Sequence, residues 1–145
     1  MEVRRANLFD VSAVTAMLIE MHRNAEMKLS AVNTEKLVDK INEALHRGVI
    51  LIAHNDNVIV GSIGGMVVND WWSDEKYLSD LWFYVSPTHR KSKAASLLSR
   101  NFIKIAKEGK LSVRLGHIFS GDLDRKDKFF ERLGMIKAGS VYVEK

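Results

Sequence analysis

Apolar residues along this chain recur in two rhythms, and the alternation of the two lays out its elements. Glu2 to Ala6 reads as a short first strand. Asp10 then stands as an N-cap for a helix whose apolar face is Val11, Val14, Met17, Leu18 and Met21. A second helix, starting at Asn33 or Thr34, carries Leu37, Val38, Ile41 and Leu45 on one side and stops at Gly48. Val49 to Ala53 is continuously apolar, as expected of a strand buried on both faces. The polar turn His54-Asn55-Asp56-Asn57 leads into a returning strand, Val58 to Val68. Gly61, Gly64 and Gly65 interrupt that strand and predict a bulge, or a place where another group comes close to the backbone.

After a loop over 69–76 the rhythm of two returns in Leu81 to Val85, and Ser86-Pro87 ends it. Apolar positions 94, 98, 102 and 105 then predict a helix that closes at Gly109. Leu111 to Leu115 alternates as a strand, Gly121 to Leu133 reads as a last helix with Phe129, Phe130 and Leu133 on its apolar face, and Met135 to Val143 as a closing strand. The order is β-α-α-β-β-β-α-β-α-β.

Composition narrows this little. The 145 residues suit one domain over 1–145, with ordinary shares of hydrophobic (46%) and charged (28%) residues. No apolar run approaches the roughly 20 residues of a membrane span, and the N-terminus lacks an apolar signal core, so a cytoplasmic location is expected. The absence of cysteine excludes disulfides, thiolate metal sites and a cysteine nucleophile. The five histidines show no metal-ligand spacing, and no metal is expected. A net charge of +4 suits an anionic ligand.

The candidate chemistry lies between residues 81 and 95. A strand feeding a short turn that opens into a helix leaves free N–H groups at the helix N-terminus, where the dipole adds roughly half a positive charge. Arg90, Lys91 and Lys93 surround that point, with Ser92, Ala94 and Ala95 supplying further amides. Such an arrangement is suited to a phosphate or pyrophosphate.

Val85-x-Pro87-x-x-Arg90-x-x-Lys93-x-Ala95 resembles the acyl-coenzyme A signature of the GCN5-related N-acetyltransferases (GNAT). Phe129-Phe130-Glu131-Arg132-Leu133-Gly134-Met135 resembles that family's closing segment, and the element order agrees over nearly the whole chain. The resemblance implies an α/β fold with a mixed, mostly antiparallel sheet of six to seven strands flanked by four helices. It implies acetyl-CoA as co-substrate, a primary amine as acceptor, and direct attack in a ternary complex. Phe83, Tyr84 and Val85 would hold the pantetheine arm through main chain, residues 90–95 the pyrophosphate, and Phe130 would adjoin the coenzyme.

Asp80 is the expected general base. A carboxylate of ordinary pKa takes little proton from an ammonium, so this role needs burial or an ordered water. Lys93 stands where the family has a glycine, and Phe130 where it often has a tyrosine acid; Tyr84, or a water, is the substitute donor. Glu20, Trp71 and Trp72 are candidates for the acceptor site, the tryptophans alternatively for packing or a homodimer contact. Two other readings stand beside the enzyme: a noncatalytic coenzyme-binding domain of the same fold, and a basic nucleic-acid-binding module built on Arg90, Lys91, Lys93 and the DRKDK run at 124–128.

Overall fold

The computed structural model describes residues 1–117 and 121–145. In chain order the elements are β1 (Glu2–Arg5), α1 (Val11–Arg23), α2 (Thr34–Arg47), β2 (Gly48–Asn55), β3 (Val58–Asn69), β4 (Lys76–Val85), α3 (Ala94–Glu108), β5 (Ser112–Arg114) and α4 (Leu123–Arg132). The sheet runs β1-β2-β3-β4-β5. Its first four strands are antiparallel to their neighbours, and β5 lies parallel to β4.

The continuous apolar run of β2 is explained by what covers each face. Ile50 and Ile52 meet Val14 and Leu18 of α1 and Ile41 and Ala44 of α2. Val49, Leu51 and Ala53 turn to the other side, where Leu98, Phe102 and Ala106 of α3 close a second core. Helices on both faces leave no side of the strand for polar residues.

Three expectations are corrected. Asp10 does not cap α1 with its side chain; Asn7 caps a 3-10 turn over Leu8–Asp10, and the Asp10 carboxylate turns back to the Asn7 N–H (2.8 Å) and to Arg4 (2.7 Å). β5 is confined to three residues, because Gly116 bonds to a side chain of β4 instead of continuing the ladder. Residues 135–145 form no strand, so the sheet has five strands among the described residues instead of six or seven. Ile136 and Tyr142 are 90% and 93% exposed. The apolar alternation there spans only Val141 to Val143, and a segment that short gains too little from pairing to offset ordering its backbone.

Candidate functional site

The site is organised around a defect in β4. Gly64 lies opposite Trp82 and Gly65 opposite Asp80, which leaves Leu81 as an extra residue on β4, a β-bulge. The two glycines permit it: a Cβ on Gly64 would stand 2.2 Å from the Trp82 ring, and one on Gly65 2.5 Å from the Ser79 carbonyl oxygen. β5 pairs with β4 only over Tyr77 to Ser79. From Asp80 to Val85 no strand lies against the outer edge of β4 among the described residues, so that length of backbone is bare of a ladder partner.

The bare edge ends at the turn before α3. Pro87 opens a 3-10 turn over Pro87–His89, and α3 begins at Ala94. Three of the amides in the cradle are engaged internally: Arg90 N–H donates to the Pro87 carbonyl (3.5 Å), Ser92 N–H to the His89 carbonyl (3.0 Å) and Ala94 N–H to Ser92 Oγ (3.2 Å). Leu97 N–H donates to the Lys93 carbonyl (2.9 Å), one turn back. The N–H groups of Ala95 and Ser96 belong to the unsatisfied first turn that every helix presents. Lys93 sits at φ −76°, ψ −4°, an ordinary right-handed conformation that asks for no glycine. The Arg90 side chain donates from Nε to the Val85 carbonyl (3.1 Å) and its guanidinium lies 5.6 Å from the centre of the Tyr84 ring. The cation is thereby fixed where strand passes into turn.

Asp80 is the half-buried carboxylate of this strand. It accepts a hydrogen bond from the Gly116 N–H (3.1 Å), at the point where β4 and β5 separate. Burial pushes its carboxyl up to about 6, against the opposing effect of that N–H. Tyr84 lies on the other face of the sheet. Its hydroxyl donates to Glu20 Oε2 (3.0 Å) and accepts from Asn24 (3.1 Å), so Glu20 and Tyr84 form one network at the end of α1, which Ser86 joins at 3.5 Å. Burial raises the Tyr84 phenol above its usual range.

α4 brings in contacts that the sequence pattern did not reveal. Lys126 is drawn below the usual lysine range, first by burial and then by the nearby Arg90. A second cation from a distant element therefore shares the surroundings of Arg90. Phe129 packs against Phe83 with ring centres 6.1 Å apart. Phe130 stacks on His117 at 5.6 Å, and His117 Nε2 is held by Asp127 at 2.9 Å. His117 Nδ1 is buried with no partner among the described residues. The signal for these lay in the third dimension, since neither Arg90 and Lys126 nor His117 and Asp127 are neighbours in any periodic pattern.

Trp71 and Trp72 are not brought to the cradle. They precede β4, whereas the cradle follows it, and they stack edge to face at 5.3 Å with 91% and 63% of their surface exposed. Among the described residues no cluster of three or more His, Asp or Glu is placed to hold a metal, and no helix is long and apolar enough to cross a membrane.

The sequence profile of the acetyltransferase (GNAT) family matches residues 16–135. No curated protein is significantly similar to the chain in sequence. Among solved structures, a predicted acetyltransferase with acetyl-CoA from Clostridium acetobutylicum superposes with a TM-score of 0.79 at 16% identity, over 99% of this chain and 95% of that one. The aminoglycoside 6'-N-acetyltransferase of Acinetobacter haemolyticus gives 0.74 at 16% identity, over 100% and 98%. The ribosomal-protein-alanine N-acetyltransferase of Brucella melitensis biovar Abortus gives 0.72 at 16%, over 100% and 99%. At such identities the likeness is one of fold.

Proposed function

The chain belongs to the acetyltransferase (GNAT) family, and from that premise we propose that it moves an acetyl group from acetyl-CoA to a primary amine, by direct attack in a ternary complex. The observation that carries this reading is the bare outer edge of β4 from Asp80 to Val85, running between a half-buried carboxylate and the first turn of α3. Extended backbone with no strand on its outer edge suits the amide-bearing pantetheine arm, through main chain of Phe83, Tyr84 and Val85. The open amides at the start of α3 suit the pyrophosphate, with Arg90, Lys91, Lys93 and Lys126 as countercharges and Ser92, Ala94 and Ala95 shaping the turn. Phe129 and Phe130 would wall the arm from α4.

In the transfer step the amine nitrogen attacks the thioester carbon, the C–N bond forms, and the C–S bond breaks as the tetrahedral intermediate collapses. Asp80 takes the proton that the attacking amine must lose. A carboxyl at about 6 is ionised at neutral pH, yet is a far better base than one at its ordinary value. The coenzyme thiol, with a pKa near 8.5, leaves tolerably as thiolate and takes its proton from solvent or from Tyr84. Because the Tyr84 hydroxyl is directed at Glu20, Tyr84→Phe should lower turnover by less than about tenfold.

Phe130 has no proton to give, and this favours one second reading, a domain that binds the coenzyme without efficient turnover. Titration calorimetry with acetyl-CoA, followed by thiol release across an amine panel, separates the outcomes. Binding with turnover supports the enzyme, and binding without turnover the second reading. No heat at millimolar acetyl-CoA removes both.

A further inference from the structure

We infer that His117 and Asp127 are positioning residues: together they latch the chain just past the fork of β4 and β5 and so hold the Gly116 N–H on the Asp80 carboxylate. The inference rests on the acetyl-transfer reading for its effect on turnover and adds two residues to that site.

The fork begins where the ladder of β4 and β5 ends, at Ser79 opposite Arg114. Asp80 is the next residue of β4, and the Gly116 N–H donates to its Oδ1 (3.1 Å) instead of extending the ladder. No charged side chain among the described residues bonds to Asp80. Against burial, its charge is favoured only by backbone N–H groups, that of Gly116 and its own. Arg114, the cation of β5, is bound elsewhere, to Asp70 at 2.9 Å and over the Tyr77 ring at 3.6 Å.

Nothing at Gly116 itself fixes the direction of that N–H. A Cβ there would meet no atom within 4 Å, so the hold comes from its neighbours. Leu115 packs against the core beneath α3 on the strand side. His117 holds the other side. Its Nε2 lies 2.9 Å from Asp127 Oδ1, and its ring is stacked on Phe130 with 6° between the planes. Asp127 and Phe130 are three apart on α4 and so share a face. Lys137 meets the other Asp127 oxygen at 3.1 Å. A carboxylate only accepts, so Nε2 carries the hydrogen of the latch. Freeing His117 would free Gly116, and Asp80 would lose the donor that opposes its burial.

The test follows Asp80 by carboxyl-carbon NMR titration of the whole chain, its signal identified by its loss in Asp80→Asn, beside kcat/KM against pH at saturating acetyl-CoA. The wild-type carboxyl should titrate at about 6. Asp127→Ala and His117→Ala should move both readouts up to about pH 7. Turnover should then fall about threefold at about pH 6.5 and hardly at all at about pH 8. His117→Gln keeps an N–H at the reach of Nε2 and should titrate as the wild type does. Asp127→Ala alters only the surface of a helix, and an unaltered affinity for acetyl-CoA reports that it is folded. An unmoved Asp80 in both alanine variants overturns the inference, as does a loss of turnover equal at every pH. Disappearance of the step near pH 6 in His117→Gln would assign it to the imidazole and overturn the inference too. A wild type that turns over no amine defeats the transfer reading, while the NMR titration still decides the latch.

Discussion

Burial holds the Asp80 carboxyl at about 6 instead of its ordinary 3.8, and the same burial makes folding sensitive to pH. Below pH 3.8 the group is protonated in both folded and unfolded chains. As pH rises through that value the unfolded chain ionises first, and the folded state loses stability until Asp80 itself ionises near 6. The loss accumulates to about 3 kcal/mol. Asp80→Asn retains an oxygen for the Gly116 N–H but carries no charge. It should raise stability in urea unfolding by about 1–3 kcal/mol at about pH 8, with the gain fading below about pH 4. The same variant should lower turnover at least about 100-fold with little change in acetyl-CoA affinity, and the wild-type rate should climb as pH passes about 6. Destabilisation by Asp80→Asn at pH 8 would show that burial is not what shifts the group. Arg90 belongs to this scale too. Arg90→Ala removes a charge-assisted donor and should weaken acetyl-CoA by about 10- to 100-fold, the equivalent of about 1.5–3 kcal/mol, in calorimetry.

Among the elements, the β3–β4 pair is held in its irregular register by missing side chains. A Cβ on Gly64 falls 2.2 Å from the Trp82 ring, and that ring is fixed on one side by its bond to Ser62. Gly64→Ala should therefore destabilise by about 1–3 kcal/mol, seen as a lower denaturation midpoint. The glycines were legible in the sequence as a break in a strand. The bulged residue was not, because Leu78 to Val85 mixes apolar residues on both faces and a one-residue slip leaves no trace in such a run. The cradle was legible for the opposite reason: strand end, Pro87, basic turn and helix start are all local and contiguous. The closing strand failed because its alternation spans only Val141 to Val143, too short a run to offset the ordering of its backbone. The approach of Lys126 to Arg90 was missed because α4 reads, by itself, as a solvated helix with an apolar edge, and that of His117 to Phe130 because it joins residues from separate segments.

At the scale of the whole molecule, the coenzyme site proposed above is one of charge. The cradle gathers Arg90, Lys91, Lys93 and Lys126 on a chain of net charge +4, and the lowered proton affinity of Lys126 reflects crowding by burial and by Arg90. A polyphosphate relieves that crowding, so its binding energy is largely Coulombic and passes through solvent-accessible space. Salt at about 0.15 M screens such attraction over about 8 Å, and at about 1 M over about 3 Å. Raising KCl from about 0.05 to about 0.5 M should thus weaken acetyl-CoA binding several-fold in calorimetry. An affinity that stays level over that range would mean that charge contributes little to coenzyme binding, and would tell against the cradle.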